Sequence, residues 1–302
     1  MSTPVVQPPG AFRRLLKNRA AISAMVVLAV IVLLALLGPL LPFYSPELTT
    51  PQKNAAPSLT HLFGTDLNGR DLFSRVIQGA QVSLIVGLCG ALVSFLVGTA
   101  YGLVSGYVGG RVDNAMMRFV EVLYSIPRLI IVIVAIFTFE KRLAALINEI
   151  NPDWVAYSKV IILILCLGLI EWLSMARIVR GQVLALKEQQ FVLAARALGQ
   201  SHARILLRHL LPNLVGVVVV YLTLTIPQVI LDESFLSFLG LGINDPQASW
   251  GSLLSDGKNV INPVKSYWWL LVFPAAAMSL TLLSLNFLGD ALRDALDPRA
   301  KR

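Results

Sequence analysis

The sequence predicts an all-α, polytopic membrane protein with six transmembrane helices, and three observations predict it. Of 302 residues, 56% are hydrophobic and only 14% are charged, whereas soluble domains carry about 25% charged residues; mean hydropathy is +0.72. Apolar windows close to the roughly 20 residues that cross a bilayer recur along the whole chain. Basic residues alternate sides if each window is one span: sixteen fall on the side of the two termini and eight on the other. The positive-inside rule then puts both termini in the cytoplasm. The same asymmetry accounts for the net charge of +8 through anionic membrane lipid and partner proteins, with no need of nucleic acid.

Residues 1–19 form a cytoplasmic tail whose Arg13, Arg14, Lys17 and Arg19 precede the first span, residues 20–43. That apolar run is longer than a signal-peptide core and ends at Pro42, so it is read as a retained anchor. Residues 44–81 lie outside: a polar, proline-containing loop, then HLFGTDLNGRDLF, where Gly64 and Gly69 permit turns and Asp66, Arg70 and Asp71 can cross-link the backbone and each other. Leu72, Phe73, Val76 and Ile77 make one apolar face, which predicts a short helix lying in the interface before the second span.

Residues 82–110 are uncharged throughout and carry small residues at four-residue spacing: Gly90, Ser94, Gly98, Gly102, Gly106 and Gly110. Lipid tails are as apolar as leucine, so membrane helices associate by close packing, and such a stripe is a seam that lets another backbone approach. A third span, 119–138, contains Glu121 and Arg128. A fourth, 160–179, is interrupted by Glu171 and Arg177 and is expected to face protein and not lipid. Charges at this depth cost about 2.5–3.5 kcal/mol each on insertion scales. Arg118, Glu121, Arg128 and Glu171 are therefore read as a buried ion-pair set or as the lining of a pathway. Windows 213–231 and 266–289 complete the six, and 290–302 form a cytoplasmic tail.

The loop 177–213 between the fourth and fifth spans holds the sequence LAARALGQSHARILLRHLLP, residues 193–212. A helix rich in Ala and Leu runs into Gly199, which can take the left-handed conformation that ends a helix. Ser201 caps a second helix with Ile205, Leu206 and Leu210 on one side and Arg204 and Arg208 on another, expected to stop at Pro212. Two short amphipathic helices in a cytoplasmic loop need a protein partner to bury them.

No feature supports an enzyme. Cys89 and Cys166 fall in apolar spans and imply no disulfide framework. His61, His202 and His209 lack the spacing of a zinc site, and no metal or cofactor is expected. GSLLSDGKN, 251–259, has one residue too many between its glycines for a phosphate loop, and Asn259 stands where Ser or Thr would hold magnesium. Flanking spans keep the basic helix pair too close to the membrane for DNA. A proton-coupled secondary transporter would need inverted repeats and midplane acids, for which Glu121 and Glu171 are the candidates.

The 193–212 pattern resembles the coupling loop of importer-type ABC permeases, Glu-Ala-Ala, three residues, Gly, nine residues, Ile, one residue, Leu-Pro. Ala194, Ala195, Gly199, Leu211 and Pro212 match those spacings; Leu193 replaces the Glu and His209 the Ile. Segments 61–84, SGYVGGRVDNAMMRFVE (105–121), MARIVRGQVLAL (175–186), ILDESFLSFLGLG (230–242) and NFLGDALRDALDP (286–298) resemble the C-type permease subunits of oligopeptide and dipeptide transporters. The resemblance implies a type I importer permease fold in a bacterial inner membrane, with 82–289 as a five-helix permease core. It also implies partners: a second, B-type permease subunit, two cytoplasmic ATP-binding subunits and an extracytoplasmic peptide-binding protein. Peptide is the implied cargo, with nickel, opine or microcin-type peptide as alternatives within the family.

Overall fold

A computed structural model describes residues 15, 18–41, 45–260 and 265–296. Of the residues singled out above, Arg13, Arg14, Lys17 and Pro42 lie outside that set, as do residues 297–302 of the last segment and tail. The described residues form helices α1 (Arg19–Leu37), α2 (Leu72–Val108), α3 (Gly110–Ser125), α4 (Arg128–Ile150), α5 (Ser158–Leu186), α6 (Gln190–Ala197), α7 (Leu211–Phe238), α8 (Trp250–Val260) and α9 (Trp269–Leu296), and no strand. Among them five helical segments are long and apolar enough to cross a membrane, and α3 with α4, bent by 85°, would supply a sixth.

Helix starts follow the sequence. The Asn18 side chain accepts from the Ala20 and Ala21 amides ahead of α1, and Asp71 Oδ2 accepts from Ser74 N at 2.8 Å ahead of α2, satisfying amides that a helix end leaves unpaired. α2 is the central mast. It packs most extensively on α5, with α7 against both, α9 between α7 and α1, and α4 on the outside of α5. The α5 stretch is the most deeply buried of the candidate spans, as its polar interruptions led one to expect.

Four expectations need correction. The short interfacial helix is instead the first two turns of α2, which runs 37 residues without a break, about 55 Å at 1.5 Å per residue and far more than the hydrocarbon thickness. Its face does not lie on lipid: Leu72, Val76 and Ile77 are buried, and Leu72 and Val76 cluster with Leu253, Trp269 and Leu270. The third span is not one helix: Pro127 disfavours the helical conformation at the residue before it, Ile126 is extended (φ −92°, ψ 130°), and the chain turns there. The fifth does not end at Leu231: α7 continues through Asp232 and Glu233 to Phe238 because both acids find side-chain partners. Nor does the second loop helix stop at Pro212. A π-helical stretch, Ile205–Leu210, leads straight into α7, and Pro212 occupies the first turn of α7, where a missing N–H is tolerated.

The 45–71 loop is tied down largely by its own backbone. Thr65 N donates to Ala55 O (3.0 Å) and Ala55 N to Thr65 Oγ1 (2.8 Å), while Thr50 Oγ1 donates to Gly69 O (2.7 Å). Gly64 and Gly69 both have φ near +78°, and a Cβ would strike Ala55 O at the first and Thr50 O at the second. Behind this loop Arg70 donates to Asp66 (2.7 Å) and Asp245 (2.9 Å), and the fully buried Arg75 donates to Asp245 (3.1 Å) and lies 3.7 Å from Asp256.

Candidate functional site

The small-residue stripe of α2 meets α5. A Cβ on Gly98 would stand 2.6 Å from Met175 Cβ, on Gly102 2.8 Å from Val179 Cβ, and on Gly106 2.8 Å from Val183 Cβ; Gly90 faces Val229 of α7, and Gly168 of α5 presses on Gly90 O in return. Ser94 is fully buried on the same side. Gly110 does not belong to this seam. It opens α3 at φ +58° with nothing within 4 Å of a notional Cβ, because the Gly109–Gly110 pair turns the chain.

At its Gly102–Gly106 end the same seam carries the 190–212 loop. Val192 and Ala195 of α6, and Ile205 and Leu210 of the π segment, are buried in one cluster with Leu103, Tyr107, Val179, Val183 and Leu214; Leu206 and Leu211 pack on its edge. Tyr107 Oη and His202 Nδ1 are 2.8 Å apart, the Arg196 guanidinium lies over the Tyr107 ring, and Lys187 donates to Gly106 O. Gly199 has φ +71° with open space around it. Its neighbour Gln200 meets His209 Nε2 at 2.8 Å, bridging the two halves, so the His that replaces an apolar residue acts as a brace. Ala194 and Pro212 are exposed, and so, on the outer side, are Phe191, Leu193, Leu198 (79%) and Leu207 (65%). The loop is thus a rigid knob, seated by one apolar face and presenting another.

Charged residues gather along α3 and α5. Asp113 in the first turn of α3 accepts two bonds from Arg180, 2.6 and 2.7 Å, and one from Ser105. Arg118 and Glu121 pair at 3.2 Å on the exposed face of α3. Arg128, the first residue after the Pro127 break, bridges to Glu171 at 2.8 Å and Asp232 at 2.9 Å, joining α4, α5 and α7. The Arg128 side chain stays 42% exposed while its partners are nearly covered. A recess of about 220 Å³ lies beside it, lined by Tyr124, Pro127, Ile131 and Ser174 among others. Arg128 and Glu171, about 43 positions apart in sequence, are therefore one site; Arg118 and Glu121 form a separate surface pair.

Sequence reasoning missed Asp232 and Glu233. Glu233 is fully buried and accepts from Ser83 (3.1 Å), Ser234 (3.3 Å) and Ser237 (2.7 Å); no cation pairs with it among the described residues. The available signal was two adjacent acids beside serines, placed just past the end of the 213–231 window. The 251–259 stretch is helical, and Gly251 packs against the Ser234 backbone. Cys89 and Cys166 are free and half-buried. Among the described residues no three His, Cys, Asp or Glu side chains gather where a metal ion would sit.

Residues 98–302 match the model of the binding-protein-dependent transport system inner membrane component, and residues 10–57 that of the N-terminal TM domain of oligopeptide transport permease C. Among curated proteins, the chain is 46% identical over 292 residues to the oligopeptide transport system permease protein OppC of Escherichia coli K12, covering 96% of this chain and 90% of that protein. It is 43% identical to the OppC of Haemophilus influenzae (96% and 88% covered) and 44% identical to the dipeptide transport system permease protein DppC of Bacillus subtilis (97% and 86%). Among solved structures it resembles a chain of the MetNI methionine ABC transporter in an inward-facing form, with a TM-score of 0.54 and 19% identity over 75% of this chain and 98% of that one, a likeness of fold. The matches span nearly the whole sequence, and this multi-pass membrane chain belongs to the family of inner-membrane permease components of binding-protein-dependent ABC importers.

Proposed function

We propose that this chain is one permease subunit of an ATP-driven importer that moves peptides across the inner membrane. Peptide cargo rests on the names of the three relatives above, oligopeptide and dipeptide permeases. The reading takes as partners a second permease subunit, two cytoplasmic ATP-binding subunits and an extracytoplasmic peptide-binding protein. The chain hydrolyses no ATP by itself. Both termini and the 190–212 loop face the cytoplasm, and the 45–71 loop faces outward.

The observation that carries the coupling role is the two-faced loop. Ala195, Ile205 and Leu210 lock it to the ends of α2, α5 and α7, while exposed Phe191, Leu193, Leu198 and Leu207 offer apolar surface to a partner. Exposed apolar side chains clustered on a polar-flanked knob are the mark of a protein interface. Ala194, Gly199, His209, Leu211 and Pro212 shape that knob, and a push on it is delivered to the span ends. The charges at Arg118, Glu121, Arg128 and Glu171 are assigned to the polar wall of the pathway, where a peptide with charged termini needs polar surface.

Reconstitution tests this reading. The complete complex in proteoliposomes should accumulate a labelled tripeptide when ATP is supplied on the cytoplasmic side, and a protonophore should leave the rate unchanged. Accumulation driven by an imposed proton gradient without ATP would contradict it, as would ATP turnover by the purified chain without its ATPases.

A further inference from the structure

On the reading that peptides cross along this subunit, we infer that Arg177, stacked on Tyr124, is a binding site for the free carboxylate terminus of the passing peptide. The recess that Arg177 borders has a volume of about 400 Å³ and is lined by Asn114, Met117, Arg118, Glu121 and Arg180. Its cations are not equivalent. Arg180 is held by both oxygens of Asp113, and Arg118 is paired with Glu121. Arg177 has no carboxylate in ion-pair contact among the described residues. Its guanidinium lies instead 3.9 Å from the centroid of the Tyr124 ring.

That stacking leaves the site ready for an anion. A guanidinium lying on an aromatic face keeps its edge N–H groups free, and those form a planar fork that matches a carboxylate. The ring is fixed in turn, because Tyr124 Oη and Ser174 Oγ are 2.7 Å apart. An already ordered arginine loses little freedom when it binds.

The neighbouring site sets the direction. Glu171 and Asp232 share a single arginine, Arg128, so that cluster has a formal charge of −1, while the Arg177 recess, with Asp113 and Glu121 offsetting two of three arginines, has +1. Arg177 lies six positions beyond Glu171 on α5, about 9 Å along the helix. A peptide with free ends has the same polarity: its carboxylate is repelled by the Glu171–Asp232 end and attracted to Arg177.

The test uses the full complex in proteoliposomes, with one binding protein in every arm, and compares ATP-driven uptake of trialanine and of trialanine amide, which share the same amino terminus. Arg177→Gln should lower trialanine uptake by about tenfold or more, the worth of one charge-assisted hydrogen bond, and leave the amide within about twofold of its starting rate. Arg177→Lys should restore part of the trialanine rate. Tyr124→Leu should behave as Arg177→Gln does, and Tyr124→Phe, which keeps the ring, should lose less. Unchanged trialanine uptake in Arg177→Gln, or an equal fall for both peptides, overturns the assignment. So does a defect seen in vesicles containing phosphatidylglycerol and absent in pure phosphatidylcholine, since the anion is then a lipid headgroup. If the wild-type complex accumulates neither peptide with ATP, the peptide reading itself fails and the carboxylate site falls with it.

Discussion

Arg180 and Asp113 are joined by two hydrogen bonds, Nε to Oδ1 at 2.6 Å and the terminal nitrogen to Oδ2 at 2.7 Å. This fork pins the first turn of α3 to α5, beside the Gly109–Gly110 corner, and puts a carboxylate where the helix dipole favours one. Asp113→Ala leaves Arg180 and Ser105 without their acceptor and should cost about 1–3 kcal/mol. Thermal unfolding in detergent should show a lower Tm for Asp113→Ala and for Arg180→Ala, with the double variant no worse than the poorer single. Additive losses would mean that the pair does not act as a unit.

The glycine seam makes a contrast within one helix type. Gly98 leaves no room: a methyl there meets Met175 Cβ at 2.6 Å and Trp172 O at 2.7 Å. Gly98→Leu should fail to accumulate in the membrane, and Gly98→Ala should lower Tm. Gly216 in α7 has open space instead, so Gly216→Ala should be neutral or stabilising by up to about 1 kcal/mol. Equal behaviour of the two alanine variants would remove the seam from the packing account.

The ion cluster around Arg70 and Arg75 gives predictions of opposite sign at two aspartates. At Asp245 burial acts to raise the carboxyl pKa, but the Arg70 bond and the Arg75 charge outweigh it and hold the group below the usual carboxylate range. A depressed folded-state pKa contributes stability above the unfolded value, about 3.9, and that stability is lost as pH falls through the folded pKa. Asp245→Asn should therefore lower Tm at pH 7, with the deficit shrinking as the pH is taken below 4. At Asp256 burial dominates and raises the pKa in spite of Arg75, so the ionised form disfavours folding at neutral pH. Asp256→Asn should leave Tm at pH 7 unchanged or higher. A Tm–pH series on both variants checks the two signs together.

Membrane orientation is open to reporter fusions. A fusion after Asp245 should be active as a periplasmic alkaline phosphatase, and one after Gln200 as a cytoplasmic reporter. The opposite pattern would invert the placement of both the knob and the 45–71 loop.

Much of this was legible in the sequence because bilayer thickness and helix chemistry act locally. Five of the six windows lie in long apolar helices, Gly199 is left-handed, and Ser201 Oγ accepts from Arg204 N. What was not legible depended on distant partners. Asp232 and Glu233 look like a span end until Arg128 and three serines, two of them on α7 itself, satisfy them. Leu72–Ile77 looks interfacial until Trp269 and Leu253 cover it. Glu171 looks isolated because its partner, Arg128, is on another helix, across a bend that Pro127 signals without giving its angle.

The central claim is that the 190–212 knob transmits force, and Gly199 is where it is most exposed to test. The residue stands at φ +71° with nothing near it, so a substitution there strains the backbone by about 1 kcal/mol or more without a clash in the core. Gly199→Val should insert, reach normal membrane abundance and pair with the second permease, because those depend on the spans. It should co-purify poorly with the ATPases and fail to take up peptide. The decisive measurement is ATP-driven peptide uptake by Gly199→Val at membrane abundance matched to wild type. The account predicts its loss together with weakened ATPase retention; uptake at the wild-type rate would contradict it.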